Sequence, residues 1–139
     1  MNVEVNYVGV LLAAVASMAV GAVWYAQPVF GKMWMKLVGL KQSDAQEGAV
    51  TAMLQAFVAA ILTAYVLAHV TFLSNYYFGN SYMNAALNTA FWLALGISVT
   101  TVITHNAFEG RRKKLTLLTV GHQMVSFLIM GVVIGAFAP

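Results

Sequence analysis

At 139 residues the chain is long enough for one domain, but 61% of it is hydrophobic and only 8% is charged, against roughly 25% charged in a soluble domain. Such a chain cannot cover a water-facing surface, which excludes an ordinary soluble fold. The net charge of +3 does not mark a nucleic-acid binder, because all seven Lys and Arg fall in two short segments, Lys32, Lys36 and Lys41, then Arg111, Arg112, Lys113 and Lys114, as loops facing an anionic leaflet would have them.

In chain order, the first residues carry Glu4 and no basic n-region, and the charge-free stretch from Val5 to Gly31 is too long for a signal peptide, so the first span is expected to be retained. Crossing the hydrocarbon core takes about 20 apolar residues. Val5–Gly31 holds one span, at 7–25. Between spans one and two, Phe30, Met33, Trp34, Leu37 and Val38 recur at helical spacing, opposite Lys32 and Lys36. This predicts a short interfacial helix over 29–38, begun by Pro28 and ended near Gly39. Ser43-Asp44-Ala45-Gln46 fits a capping box ahead of the second span. The charge-free run Gly48–Phe108 is too long for one span and breaks at the turn-rich Ser74–Ser81, giving spans at 50–73 and 83–107. The last span falls at 115–137. The expected fold is therefore all-α: residues 1–139 form a single domain, an integral membrane four-helix bundle with an interfacial helix between helices one and two.

With four spans, loops one and three share a side, and together they hold every Lys and Arg. The positive-inside rule puts both loops in the cytoplasm and both termini outside. Tyr76, Tyr77, Phe78 and Tyr82 then form an aromatic belt at the outer interface.

Small residues, which let membrane helices approach closely, recur as Gly9, Ala13, Ser17 and Gly21 on helix one, as Ala90, Ala94, Ser98 and Thr101 on helix three, and as Gly121, Gly131 and Gly135 on helix four. Packing within one bundle and self-association of subunits both fit these ridges.

Polar groups inside a membrane are costly, so each is a functional hypothesis. Trp24 and Tyr25 end helix one at the level where His105, Asn106 and Glu109 end helix three, and His122 lies about two turns into helix four from the same side. These six are the candidate ligand-binding residues. The plainer readings are a histidine bonded to a neighbouring helix, Trp and Tyr as interface anchors, and Glu109 as a solvated charge beside Arg111. A zinc site wants three or four close ligands, and only His105, Glu109 and His122 offer themselves. Thr51, Gln55 and His69 share a face of helix two and suggest a polar track or scattered interhelical bonds. No carboxylate lies within a span, no glycine-rich phosphate loop is present, and with no cysteine there is no thiol chemistry. No metal, cofactor or catalytic residue is expected.

Trp24-Tyr25-Ala26-Gln27-Pro28-Val29-Phe30-Gly31-Lys32-Met33-Trp34 resembles the segment after helix one in a bacterial membrane family, domain of unknown function 1761. Asn106-Ala107-Phe108-Glu109-Gly110-Arg111 and the helix ending Met130–Ala136 resemble it as well. The resemblance implies four helices and a bacterial membrane, and brings no activity, cofactor or catalytic residue. At His122 it implies a variable, often aromatic residue.

The function expected is that of a non-enzymatic inner-membrane protein that self-associates through its small-residue faces, contacts membrane lipids, and binds or moves a small molecule or lipid. The runner-up is an accessory subunit of a larger membrane complex, and a membrane enzyme comes third. No nucleic-acid partner is expected.

Overall fold

The computed structural model describes residues 3–40 and 48–139. It contains five helices among these residues: α1 (Tyr7–Trp24), α2 (Lys32–Val38), α3 (Ala49–Phe78), α4 (Tyr82–Phe108) and α5 (Lys113–Ala136). All but α2 are long and apolar enough to cross a membrane. The all-α four-helix expectation holds, and the chain is a multi-pass membrane protein. The capping box at Ser43–Gln46 lies outside the described residues.

The helix ends follow local chemistry. The Asn6 side chain accepts hydrogen bonds from the amides of Val8 and Gly9, both at 3.1 Å, and starts α1. Ser81 caps α4 in the same way through the amide of Asn84. Helix α3 continues past the predicted span end at 73, through the polar and aromatic run to Phe78. The run looks like a turn by composition, but only Gly79 takes the left-handed conformation, with φ +66°, that stops a helix. The Asn75 side chain closes the hairpin by donating to the carbonyl of Asn80 at 2.6 Å.

The predicted interfacial helix divides in two. Gln27–Gly31 makes one π-helical turn, with the Gly31 amide bonded to the Ala26 carbonyl at 2.9 Å, and α2 follows directly. Gly31 is required there: a Cβ would run into the Tyr25 carbonyl oxygen and lie 2.9 Å from the Ala26 carbonyl. Helix α2 ends at Gly39, whose φ is +80°.

In the bundle α1 packs on α3 and α5, and α4 packs on α3 and α5, while α3 and α5 face each other across the diagonal. The buried core is alanine-rich and lies toward the end that carries the termini and the α3–α4 hairpin. It comprises Val10, Ala13 and Ala14 of α1, Ala60, Ala64, Leu67 and Ala68 of α3, Ala86 and Ala90 of α4, and Met130 and Ile134 of α5. Small residues there bring backbones into contact: a Cβ on Gly131 would lie 2.8 Å from that of Ala90, and one on Gly135 would lie 2.6 Å from the Met83 sulfur. Gly121 does not share this face. It sits 3.1 Å (to an added Cβ) from the Trp24 ring of α1, because ten residues along an α-helix leave it roughly 80° from Gly131.

Toward the basic-loop end the packing thins. No residue of α1 after Ala14, of α3 before Ala60, or of α4 after Val99 is buried. On that half of α5 only Leu115, Leu118 and Ser126 are buried. The bundle is closed at one end and splayed at the other.

A second π turn, Ala94–Val99, interrupts α4. It changes which residues face inward. Before it the buried positions step by four, Ala86, Ala90 and Ala94; across it they step by five, to Val99, and then continue through half-buried Val102 and Asn106. A π turn inserts one residue into the helical register, so the inward ridge expected at Ser98, Thr101 and His105 is displaced by one position. Thr101 and His105 are exposed in consequence.

Candidate functional site

At the end of α1, Trp24 and Tyr25 project to different neighbours. The Trp24 ring lies 4.8 Å from that of Phe30 and 6.1 Å from the His122 imidazole (centroid distances), and packs over Gly121. Tyr25 lies 5.6 Å from Trp34, at an edge-on 63°, and 5.1 Å from His122. Trp34 is half-buried against the bundle, as the amphipathic pattern of α2 predicts. Four rings, Trp24 and Tyr25 at the end of α1, Phe30 in the π turn and Trp34 in α2, thus cluster beside His122 of α5, with Trp24 and Tyr25 directly against it. Gly21 makes room for the imidazole, since a Cβ there would stand 3.4 Å from Nε2. Nε2 is also 3.3 Å from the Ser126 hydroxyl, one turn along α5. The Thr119 hydroxyl, on the same helix, donates to the Leu115 carbonyl at 3.0 Å.

Of the six candidate residues, the structure gathers Trp24, Tyr25 and His122. Asn106 faces α5 and donates a 3.1 Å hydrogen bond to the Thr116 hydroxyl, tying the ends of two helices together. His105 and Glu109 do not join the cluster. The His105 side chain is 71% exposed and lies 2.8 Å from Glu109, which also accepts a 2.7 Å hydrogen bond from Arg111. Arg111, and after it the neighbouring His105, holds the Glu109 carboxyl below the ordinary carboxylate range. The trio is an exposed ion network, and such networks add little stability.

Where α3 splays away from α1 and α5, a cavity of about 1000 Å³ opens. Tyr25 stands at its basic-loop end; His122, Gln123 and Ser126 line it from α5, and Ser17 from α1. Met18, Met53, Phe127 and Met130 supply most of its apolar wall. Thr63 lines it too, but its hydroxyl is satisfied by the Ala59 carbonyl at 2.9 Å. Thr51 and Gln55 are exposed outside the cavity, so the suggested polar track does not run through it. Ser126 is one helical turn from His122 and shares its face, and sequence reasoning placed Ser17 on a packing ridge; it had no means of assigning Gln123 or the α3 wall, which depend on how the helices pack.

Among the described residues the lining holds no Asp, Glu, Lys, Arg or Cys. The cavity offers hydrogen bonds and apolar surface rather than fixed charge. Among the described residues no group of three or more His, Cys, Asp and Glu could hold a metal ion. At the hairpin end, the candidate polar groups are spent within their own helices: His69 Nδ1 bonds the Tyr65 carbonyl and the Asn88 amide donates to the Asn84 carbonyl, both at 3.1 Å.

Four membrane-length apolar helices, three of which (α1, α3 and α5) line a largely apolar cavity, define a multi-pass α-helical membrane protein. The chain belongs to the family described as "Protein of unknown function (DUF1761)", which matches residues 8–135, nearly its whole length. No curated protein and no solved structure matches it.

Proposed function

We propose that this protein is a bacterial inner-membrane protein that binds, and in binding handles or moves, a small molecule or lipid in the cavity between α1, α3 and α5. The observation that carries this reading is the cavity itself: about 1000 Å³, at the upper end of the range for small-molecule sites, with polar side chains converging from two helices. Purification in mild detergent tests it. Native mass spectrometry is expected to show a bound non-protein molecule, lost when Ala56→Phe fills the cavity; a bare chain in both cases contradicts the reading.

The basic segments share one end of the bundle, which supports a cytoplasmic position for them and outer termini. A reporter active only in the cytoplasm should work when fused within Arg111–Lys114 and stay silent after Pro139; activity after Pro139 refutes this orientation. Self-association belongs to the same reading. Gly96 is exposed, with nothing within 4 Å of an added Cβ, and Thr100 and Thr104 extend its face. Such a ridge suits close approach of a second copy. The alternative, an accessory subunit, rests on the same face being covered by a different chain. The mass of the purified assembly separates them: a multiple of 15.0 kDa favours the first, and a fixed larger partner the second.

A further inference from the structure

We infer that the occupant of the α1–α3–α5 cavity is an uncharged amphiphile taken from the bilayer, its oxygen-bearing head against Tyr25, His122 and Gln123 and its hydrocarbon along Met18, Phe127 and Met130. This rests on the reading that the cavity binds a ligand, and adds its chemical class and its source.

The class follows from the lining. Among the described residues the polar side chains of the lining, Ser17, Tyr25, Thr63, His122, Gln123 and Ser126, include hydroxyls, an amide and an imidazole, but no carboxylate and no Lys or Arg. An ionic head would enter a low-dielectric site with no counter-charge, and burying an unpaired charge costs several kcal/mol. Among the described residues the basic side chains lie outside the lining: Lys32 and Lys36 are exposed on α2, Arg111 is engaged by Glu109, and Arg112, Lys113 and Lys114 are exposed around the start of α5. A hydroxyl, ester or carbonyl head can instead take hydrogen bonds from Tyr25 and Gln123, beside a His122 already 3.3 Å from Ser126.

The source follows from the opening. Its rim is formed by Val15, Ala19 and Ala22 of α1 and by Met53, Ala56 and Ala59 of α3, all exposed. These lie within helices apolar enough to cross a membrane, so the gap faces sideways between two spans. A lipid reaches such a gap by lateral diffusion. Along the cavity Tyr25 and His122 lie toward the loop end and Met18, Phe127 and Met130 deeper, with Met53 at the loop end of α3 and the Ser17 and Thr63 hydroxyls at the deeper end. An amphiphile would lie with its head at the interface and its chain in the core, the orientation it already holds in a leaflet.

The test uses the full chain in nanodiscs and two photoactivatable probes of equal chain length, a diazirine-bearing monoacylglycerol and the corresponding diazirine-bearing fatty acid. The monoacylglycerol is expected to label Met18, Met53 and Phe127 at least fivefold more than lipid-facing Leu117, and the fatty acid no more than Leu117. Ala59→Phe, on the exposed rim, should reduce the preferential labelling at least fivefold, and Ala56→Phe serves if that variant does not fold. Equal or stronger cavity labelling by the fatty acid overturns the uncharged class while leaving a binding cavity in place. If neither probe labels the cavity residues above Leu117, the binding reading itself fails. Labelling unchanged in folded variants places the probe elsewhere and overturns the proposal.

Discussion

At the scale of single residues, two positions carry the clearest consequences. Gly31 joins α1 to α2 where the Tyr25 and Ala26 carbonyls leave no room for a Cβ. Gly31→Ala must therefore shift backbone, and overpacking of this kind costs about 1–3 kcal/mol. We expect a lower thermal midpoint in detergent together with altered Trp34 fluorescence, as α2 swings away from Tyr25; unchanged fluorescence would contradict the fit described. Glu109 has the opposite character. Arg111 and then His105 lower its folded pKa, so its contribution is present above the ordinary carboxylate range and is lost as pH falls through the lowered folded value. The effect is small because the group is exposed. Glu109→Gln should leave stability at neutral pH nearly unchanged and flatten the acid side of the stability profile, read as melting temperature against pH. The sequence made Glu109 and His105 look like partners of Trp24 and His122, because Trp24, His105 and Glu109 share a level at one end of the spans and His122 lies about two turns in from it. The level was readable from hydropathy. The direction each side chain points was not, and direction separates an exposed ion network from the ring cluster.

At the scale of elements, the reason is the π turn Ala94–Val99 in α4. An i→i+5 turn leaves no mark in composition: Ala94-Leu95-Gly96-Ile97-Ser98-Val99 reads as ordinary membrane helix. The uninterrupted period carries the small ridge on to Ser98, Thr101 and His105, and the inserted residue turns it to Val99, Val102 and Asn106. Deleting Ile97, which is exposed, should remove the inserted residue, shorten the step from Ala94 to Val99 to the α-helical four, and leave Val99, Val102 and Asn106 facing inward. A spin label at His105→Cys, in a chain with no other cysteine, should then keep its oxygen accessibility, and Asn106 should keep its bond to Thr116, of a kind worth about 0.6 kcal/mol between membrane helices. Lost accessibility at His105 would show that the π turn does not hold an inserted residue. The presence of four membrane-length helices, in contrast, was legible, since crossing a bilayer demands length and apolarity and little else. Helix α3 is longer than its span because Ser74–Phe78 is polar enough to leave the membrane without leaving the helix.

For the whole molecule, the feature that matters is the contrast between the two ends. Alanine and glycine close the half that carries the termini and hairpin, where Ala64, Ala86 and Ala90 are fully buried. In the other half the rings of Trp24, Tyr25, Phe30 and Trp34 fill the space between α1, α2 and α5 but leave α3 unsupported, and the cavity lies in that gap. The small-residue ridges announced close packing in the sequence. They did not announce that it would stop halfway, because that depends on which helices are neighbours. The central claim is that α3 stands apart from α1 and α5 along Met53–Ala59 and that the gap holds a ligand. A density map of the protein in nanodiscs, with a bound antibody fragment to give it mass, tests this most directly. The account predicts elongated non-protein density beside Met18, Phe127 and Met130, with its thicker end at Tyr25 and His122. A map in which Met53–Ala59 packs directly onto α1 and α5, with no space between them, would contradict it.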